Sequence, residues 1–242
     1  MISICILTKN AEKTLEATLE SVKTFSEVIL LDTGSTDSTV SIAQKYPNVK
    51  FFETLFTGFG ELRNKAASLA ENEWIFALDS DEIIPPSLLA EISSLSLNPS
   101  FAYTIPRHNF YNNKRIRGCG WAPDRVSRIY HRKQIQFGLD KVHESLDTKN
   151  FISLTAPILH TPYRSTQEFL AKMQHYSTLF AEQYKHKRRS SFSKAFFHAL
   201  FAFFRSYFLR RGFLDGTEGL LISIYNANTT FYKYIKLKEI NS

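Results

Sequence analysis

Four short apolar runs, each followed by a stretch of helical character, constrain this chain more than any other feature. They lie at residues 2–8, 28–31, 49–53 and 74–78. Each has the length of a strand buried on both faces of a parallel sheet. Between the first two, Leu15, Leu19 and Val22 recur at helical spacing. Residues 38–46 read as a helix capped by Thr36 or Asp37, and 60–70 as a third helix. Strand and helix thus alternate, which predicts an α/β fold: a mostly parallel sheet with helices on both faces. The 242 residues suffice for one such domain with an appendage. Such sheets bind ligands at the carboxyl ends of their strands. Thr8, Asp32 and Asp79 all sit at such ends, so three residues far apart in sequence are expected to converge on one crevice.

The fourth run ends in Asp79-Ser80-Asp81-Glu82. Side chains alternate along a strand, so Asp79 and Asp81 can face the same way. Two such carboxylates repel unless a positive charge lies between them. A hard cation, Mg²⁺ or Mn²⁺, does this with oxygen ligands and leaves positions for diphosphate oxygens. An acidic loop entering the next helix accounts for the same residues, and this stretch alone leaves both open. Asp32, followed by Gly34-Ser35-Thr36-Asp37, either accepts hydrogen bonds from a nucleoside or belongs to a turn that caps a helix. Arg63, with Asn64, offers a fork of donors suited to phosphate oxygens, or lies on a solvated helix face. Glu144, after His143, either takes a proton from a hydroxyl nucleophile or is a surface carboxylate. His160 is a loop histidine or a further metal ligand.

Other chemistries are excluded. Gly58-Phe59-Gly60-Glu61-Leu62-Arg63 fails as a dinucleotide loop, because Arg63 stands where the third glycine must be. There is no P-loop, and no second histidine follows His143-Glu144 at zinc-protease spacing. Two distant cysteines, Cys5 and Cys119, make no disulfide framework and fit a reduced, cytosolic setting. The first residues lack a basic leader and read as a strand.

Charge is unevenly spread. Residues 1–100 hold 7 Lys/Arg against 14 Asp/Glu, and residues 101–242 hold 23 against 9. The second half is therefore expected to meet an anionic partner. Its pattern also differs. Two strands, 101–107 and 126–130, flank a polar loop with Arg115, Arg117, Trp121 and Arg125, and the chain turns helical from about Gln167. A stripe of Phe197, Phe201, Phe204 and Phe208 lies between Lys185, Lys187, Arg188, Arg189 on one side and Arg210, Arg211 on the other. Too short and polar to span a bilayer, this helix either packs into a core or lies on an anionic membrane surface. The expected division is residues 1–165, with a first half to 95 and a second from 96, followed by a basic helical extension over 166–242.

Taken together, Ser3-Ile4-Cys5-Ile6-Leu7-Thr8-Lys9-Asn10, Ile29-Leu30-Leu31-Asp32-Thr33-Gly34-Ser35-Thr36-Asp37, Arg63-Asn64 and Leu78-Asp79-Ser80-Asp81-Glu82 resemble the family 2 glycosyltransferases of GT-A fold. The stretches Gly118-Cys119-Gly120-Trp121-Ala122-Pro123-Asp124, Arg128-Ile129-Tyr130-His131-Arg132, Val142-His143-Glu144 and Arg211-Gly212-Phe213-Leu214-Asp215-Gly216 are similar to the subgroup that glucosylates the lipopolysaccharide inner core. The resemblance implies an inverting, metal-dependent transfer of one sugar from a nucleoside-diphosphate sugar, with UDP as the expected nucleotide, to a lipid-linked glycan. It places Asp32 on the nucleoside, and Asp79 and Asp81 on ribose, metal and diphosphate. Thr8, Arg63 and Arg128 are the further nucleotide-sugar-binding candidates, and Arg128 or Arg125 either assists the leaving diphosphate or pairs with a structural carboxylate. The Glu-Asp pair that supplies the base in many relatives is missing, which leaves Glu144 for that role. The Gln-x-x-Arg-Trp motif of processive synthases is also missing, which points to single transfers. The implied location is the cytoplasmic face of the inner membrane, with nucleic acid excluded as partner. The rival reading is a non-catalytic protein of the same fold whose basic half grips nucleic acid or another polyanion.

Overall fold

The computed structural model describes residues 1–138 and 145–241. The chain forms two compact units. The first comprises 1–107 and 124–160, the second 108–123 and 161–242.

The first unit begins with β1 (Ile2–Thr8), α1 (Leu15–Ser21), β2 (Val28–Asp32), α2 (Thr39–Ala43), β3 (Val49–Glu53), α3 (Phe59–Leu69) and β4 (Trp74–Asp79). Strands β1 to β4 are parallel and lie in the order β3-β2-β1-β4. Residue parity assigns the two faces. Ile4, Ile6, Val28, Leu30, Phe76 and Leu78 point to one side and pack with Leu15 and Leu19 of α1 and Ile42 of α2. Cys5, Ile29, Leu31, Ile75 and Ala77 point to the other and meet Leu62, Ala66 and Ala67 of α3. Each large side chain buried this way contributes about 1.5–3 kcal/mol, so slipping a strand by one residue would reverse both faces at once.

The remaining elements of this unit are β5 (Glu82–Ile83), α4 (Pro86–Ser93), the start of β6 (Ala102–Tyr111), β8 (Arg125–His131), β9 (Phe151–Ser153) and β10 (Ile158–His160). The hairpin strand β7 (Lys114–Arg115) falls within the second unit. Strand β8 runs antiparallel to β4, pairing Phe76 with Ile129, and β5 pairs antiparallel with β10, setting Glu82 opposite His160.

In the second unit, β7 folds back on the end of β6, and the helices are α5 (Thr166–Tyr184), α6 (Phe192–Phe204) and α7 (Gly216–Asn241). Ser165 and Ser191 cap α5 and α6, accepting hydrogen bonds from the amides of Glu168 and Lys194. The interior is aromatic: the Tyr163 and Phe169 rings stack at 4.0 Å, and Tyr111, Trp121 and Tyr225 surround them. The sequence placed the helical part from residue 166, yet 108–123 also belongs to it. The cause is Asp215, a buried residue whose carboxylate accepts from the amides of Arg117 (3.1 Å) and Gly118 (2.6 Å). Pairing across such a sequence separation leaves no periodic trace.

Helix α6 has an unexpected outer surface. Phe196, Phe197, Leu200, Phe201 and Phe204 are 47–65 % exposed, and Phe208, Leu209, Phe213 and Leu214 beyond them are also exposed. Of its own residues only Ala195 is buried. Among the described residues no helix is long and apolar enough to cross a membrane.

Candidate active site

Backbone register brings the expected residues of the first unit to one edge. Thr8 pairs with Asp32, and Leu7 with Asp79, so all three parallel strands end together. The loops that follow hold each other in place. Asn10 donates its amide to the Ser35 hydroxyl and accepts from the Thr36 amide, both at 2.8 Å. Asp37 accepts from the Thr39 amide at 3.0 Å, and also accepts from the amide of Glu12. Asp32, 1 % exposed, accepts from the amides of Gly34 (2.9 Å) and Ser35 (2.7 Å) and from the Ser35 hydroxyl. Gly34 has φ +94°, which suits glycine at the sharp turn.

A cavity of about 300 Å³ opens at this edge, lined in part by Thr8, Thr33, Phe56, Phe59, Arg63 and Asp79. Three of the expected donor-binding residues therefore share one hollow. Asp32 and Arg128 are not among its lining residues, and Asp32 holds the Gly34-Ser35 loop beside it. The Thr8 hydroxyl is buried and has no hydrogen-bond partner, which leaves a polar group for a ligand to satisfy. Phe56 and Phe59 meet edge to face at 5.1 Å and remain half exposed. They lie in a stretch that reads as a loop before a helix, which is why sequence reasoning passed over them.

Asp79 occupies the centre of an ionic network. Arg63 Nη2 donates to Asp79 Oδ1 at 2.5 Å, and Arg128 Nη2 donates to Oδ2. Arg128 also donates to Glu82 Oε1 at 2.7 Å, and Glu82 Oε2 accepts from the Asp79 amide at 3.0 Å. Arg107 extends the chain, donating to Glu82 at 3.3 Å and to Asp124 at 2.8 Å. Three carboxylates and three guanidinium groups therefore balance. Burial disfavours the Asp79 charge, but Arg128 and Arg63 outweigh it and hold this carboxyl well below the usual carboxylate range. Burial likewise opposes the Arg128 charge, while Asp79 and Glu82 drive its pKa up.

Each Asp79 oxygen accepts from one arginine, which leaves a lone pair on each for a cation or a sugar hydroxyl. Asp81 points elsewhere: its Oδ2 lies 3.4 Å from His160 Nε2, on the last strand of the unit. A carboxylate and an imidazole suit a divalent cation whose remaining ligands come from a diphosphate. Among the described residues no group of three His, Cys, Asp or Glu gathers for a metal. The pair fits a metal that arrives with its nucleotide. Arg125, the alternative to Arg128, donates to the Leu154 carbonyl at 3.0 Å and takes no part in the network.

Glu144 lies outside the described residues. The chain on either side of it is fixed, however. Asn64 clamps the backbone of Phe137, donating to its carbonyl and accepting from its amide, each at 2.9 Å. The Gly138 amide donates to the Ser145 carbonyl at 2.9 Å, and the Arg63 guanidinium lies 5.5 Å from the Phe137 ring centre. The Arg63-Asn64 pair thus divides its work: Arg63 holds Asp79, and Asn64 holds the backbone of Phe137.

Known proteins are similar to this chain along most of its length. An uncharacterized glycosyltransferase of Rickettsia bellii is 29 % identical over 257 residues, covering 99 % of this chain and 87 % of the relative. The lipopolysaccharide core biosynthesis glycosyltransferase LpsC of Rhizobium meliloti is 25 % identical, covering 98 % and 92 %. The structure of S. aureus TarS 1-349 in complex with UDP-GlcNAc is similar with TM-score 0.50 at 18 % identity, covering 99 % of this chain and 89 % of that one. A longer TarS chain is spanned over only 39 % of its length. The family model for glycosyl transferase family 2 matches residues 3–153, which include the parallel strands, the ionic network and the cavity, and the chain belongs to that family.

Proposed function

We propose that this protein transfers a single sugar, with inversion, from a UDP-sugar to a hydroxyl of a lipid-linked glycan of the lipopolysaccharide-core type. The observation that carries the proposal is the cavity at the carboxyl ends of β1, β2 and β4, where an unpartnered Thr8 hydroxyl adjoins the Arg63–Asp79 pair. Its 300 Å³ falls at the lower end of the range of small-molecule sites.

In this reading Thr8, Thr33 and the Phe56–Phe59 pair receive the nucleoside, and Asp32 holds the loop they meet. Asp79, kept ionised by Arg63 and Arg128, accepts hydrogen bonds from ribose or sugar hydroxyls. Asp81 and His160 hold Mg²⁺ or Mn²⁺; mixed oxygen and nitrogen donors favour Mn²⁺ of the two. When bound, the cation supplies Lewis-acid stabilisation of the leaving diphosphate. Glu144 takes the proton from the acceptor hydroxyl, a contribution of about 10²–10⁴ in rate. Displacement from the face opposite the leaving group inverts the anomeric centre.

The lipid-linked acceptor draws on the LpsC relative, named for lipopolysaccharide core biosynthesis, and on the exposed phenylalanines of α6. The second unit carries sixteen Lys/Arg against five Asp/Glu. An apolar face beside such charge suits peripheral docking on the cytoplasmic leaflet of the inner membrane. A donor panel tests the activity: purified protein with UDP-, GDP- and ADP-sugars, with and without Mn²⁺. UDP-sugar cleavage that needs the cation is the expected result. No turnover of any donor, in the presence of acceptor glycolipid, overturns it.

A further inference from the structure

The second unit contains a cavity of about 520 Å³ that the proposed sugar transfer does not use. Arg205, Arg210 and Lys233 line it, together with Trp121, Asn226 and His198, and no carboxylate does. Among the described residues neither arginine has an ion-pair partner. Lys233 is partly buried with no acid beside it, and burial alone lowers its pKa. A second hollow of about 500 Å³ adjoins, lined by Arg117, Arg210 and Arg211, again without a carboxylate. Arg210 and Gly120 belong to both. Gly120 has φ +83°, and a Cβ there would stand 2.3 Å from Arg210 Nη1. Any side chain at this position would push the guanidinium aside.

Five cations around two joined hollows, with no carboxylate among the lining residues, form a site for an anion. The larger hollow far exceeds a lone phosphate, whose size is comparable to a few water molecules of about 30 Å³ each. Its other lining groups suit a saccharide: an indole face, and an Asn226 amide that donates to Ser206 Oγ at 3.0 Å and keeps its carbonyl oxygen available. Phe201 and Leu209, both exposed, edge the two hollows and carry them out to the apolar surface of α6.

We propose that this cavity binds a phosphorylated saccharide, with Arg205, Arg210 and Lys233 on the phosphate and Trp121 and Asn226 on the sugar. As the anionic end of the acceptor, this ligand rests on the reading of the chain as a glycan-directed sugar transferase. As a binding site, it stands on the cavity alone.

Calorimetry on the full chain tests it, with mannose 6-phosphate, mannose and inorganic phosphate as probes. Mannose 6-phosphate is expected to bind about tenfold or more tightly than either of the others. The double variant Arg205→Gln/Arg210→Gln is expected to lose that advantage, and Arg205→Lys/Arg210→Lys to keep part of it. Both arginines are exposed, so both variants should melt like the parent. UDP binding, which uses the other unit, is followed on the same samples. Mannose 6-phosphate binding no tighter than inorganic phosphate, or undiminished in the Gln variant, overturns the inference while leaving the donor reading intact. Loss of UDP binding by the parent chain would instead strike the donor reading and leave the anion cavity standing.

Discussion

His160 Nε2 faces the Asp81 carboxylate across 3.4 Å, one at the end of β10 and the other just after β4. Asp79, two residues before Asp81, accepts instead from the guanidinium groups of Arg63 and Arg128. The two carboxylates of the Asp79-Ser80-Asp81 stretch thereby have separate partners.

From that separation, Asp81→Asn and His160→Ala should each weaken Mn²⁺-dependent UDP binding by on the order of 10–100-fold, and leave metal-free UDP binding unchanged. Calorimetric titration with and without EDTA measures this. Equal UDP affinity in EDTA for the unmodified chain would remove the metal from the donor site.

Breaking the ionic network should cost stability. Arg128→Met leaves Glu82, fully buried, without its 2.7 Å partner. Losing one member of such a buried pair costs about 3–5 kcal/mol. Urea unfolding followed by circular dichroism gives the value, and a change under 1 kcal/mol would show that the network relaxes around the loss.

Acid should act on the same network. A carboxyl held below its unfolded pKa of about 3.9 contributes stability that is complete above that value, begins to fall below it and is lost only as pH drops through the depressed folded pKa. Asp79 is such a group. Asp79→Asn should therefore be less stable than the parent at pH 7, with the gap constant down to about pH 4 and narrowing progressively below it. Midpoints of urea unfolding across that range show the trend, and a gap independent of pH would refute the assigned cause.

For the base, Glu144→Gln preserves shape and removes proton acceptance. Transfer should fall by about two to four orders of magnitude, while the KM for donor stays near that of the parent. Near-normal turnover would move the base elsewhere.

Membrane docking depends on side chains that the helical unit leaves in solvent. The full chain should float with anionic vesicles at low salt and detach as salt screens the attraction. Phe197→Ser/Phe201→Ser removes two large apolar groups, each worth about 1.5–3 kcal/mol if buried in lipid, and should stay at the bottom of the gradient. The same flotation by parent and variant would assign the phenylalanines to another role.

Much of the first unit could be read from the chain because its signals are local. Each parallel strand is an apolar run; of the two cap candidates before α2, Asp37 accepts from the Thr39 amide, although the N-cap residue itself is Ser38. The convergence of Thr8, Asp32 and Asp79 followed from the topology alone. What each carboxylate touches did not. Asp79 meets Arg63 sixteen residues away and Arg128 forty-nine away, and an Asp-x-Asp pattern looks the same with or without them. The α6 stripe was equally silent. Its spacing suits a buried helix or a surface one, and only the packing of the second unit leaves Phe197 65 % exposed.

The grip of Asp215 on the Arg117 and Gly118 amides bears on how the chain comes into being. Segment 117 is synthesised 98 residues before its partner. At a ribosomal pace of 5–20 residues per second, that is a delay of about 5–20 s. Until then the segment bearing Tyr111, Ile116 and Cys119, all buried at the end, has Phe169 of α5 against it but lacks the cover that Ile222 of α7 supplies. The first unit can complete its parallel strands during this interval. The second cannot close until Asp215 emerges, so the late helices are the step at which a nascent chain is most open to chaperones and to its own neighbours.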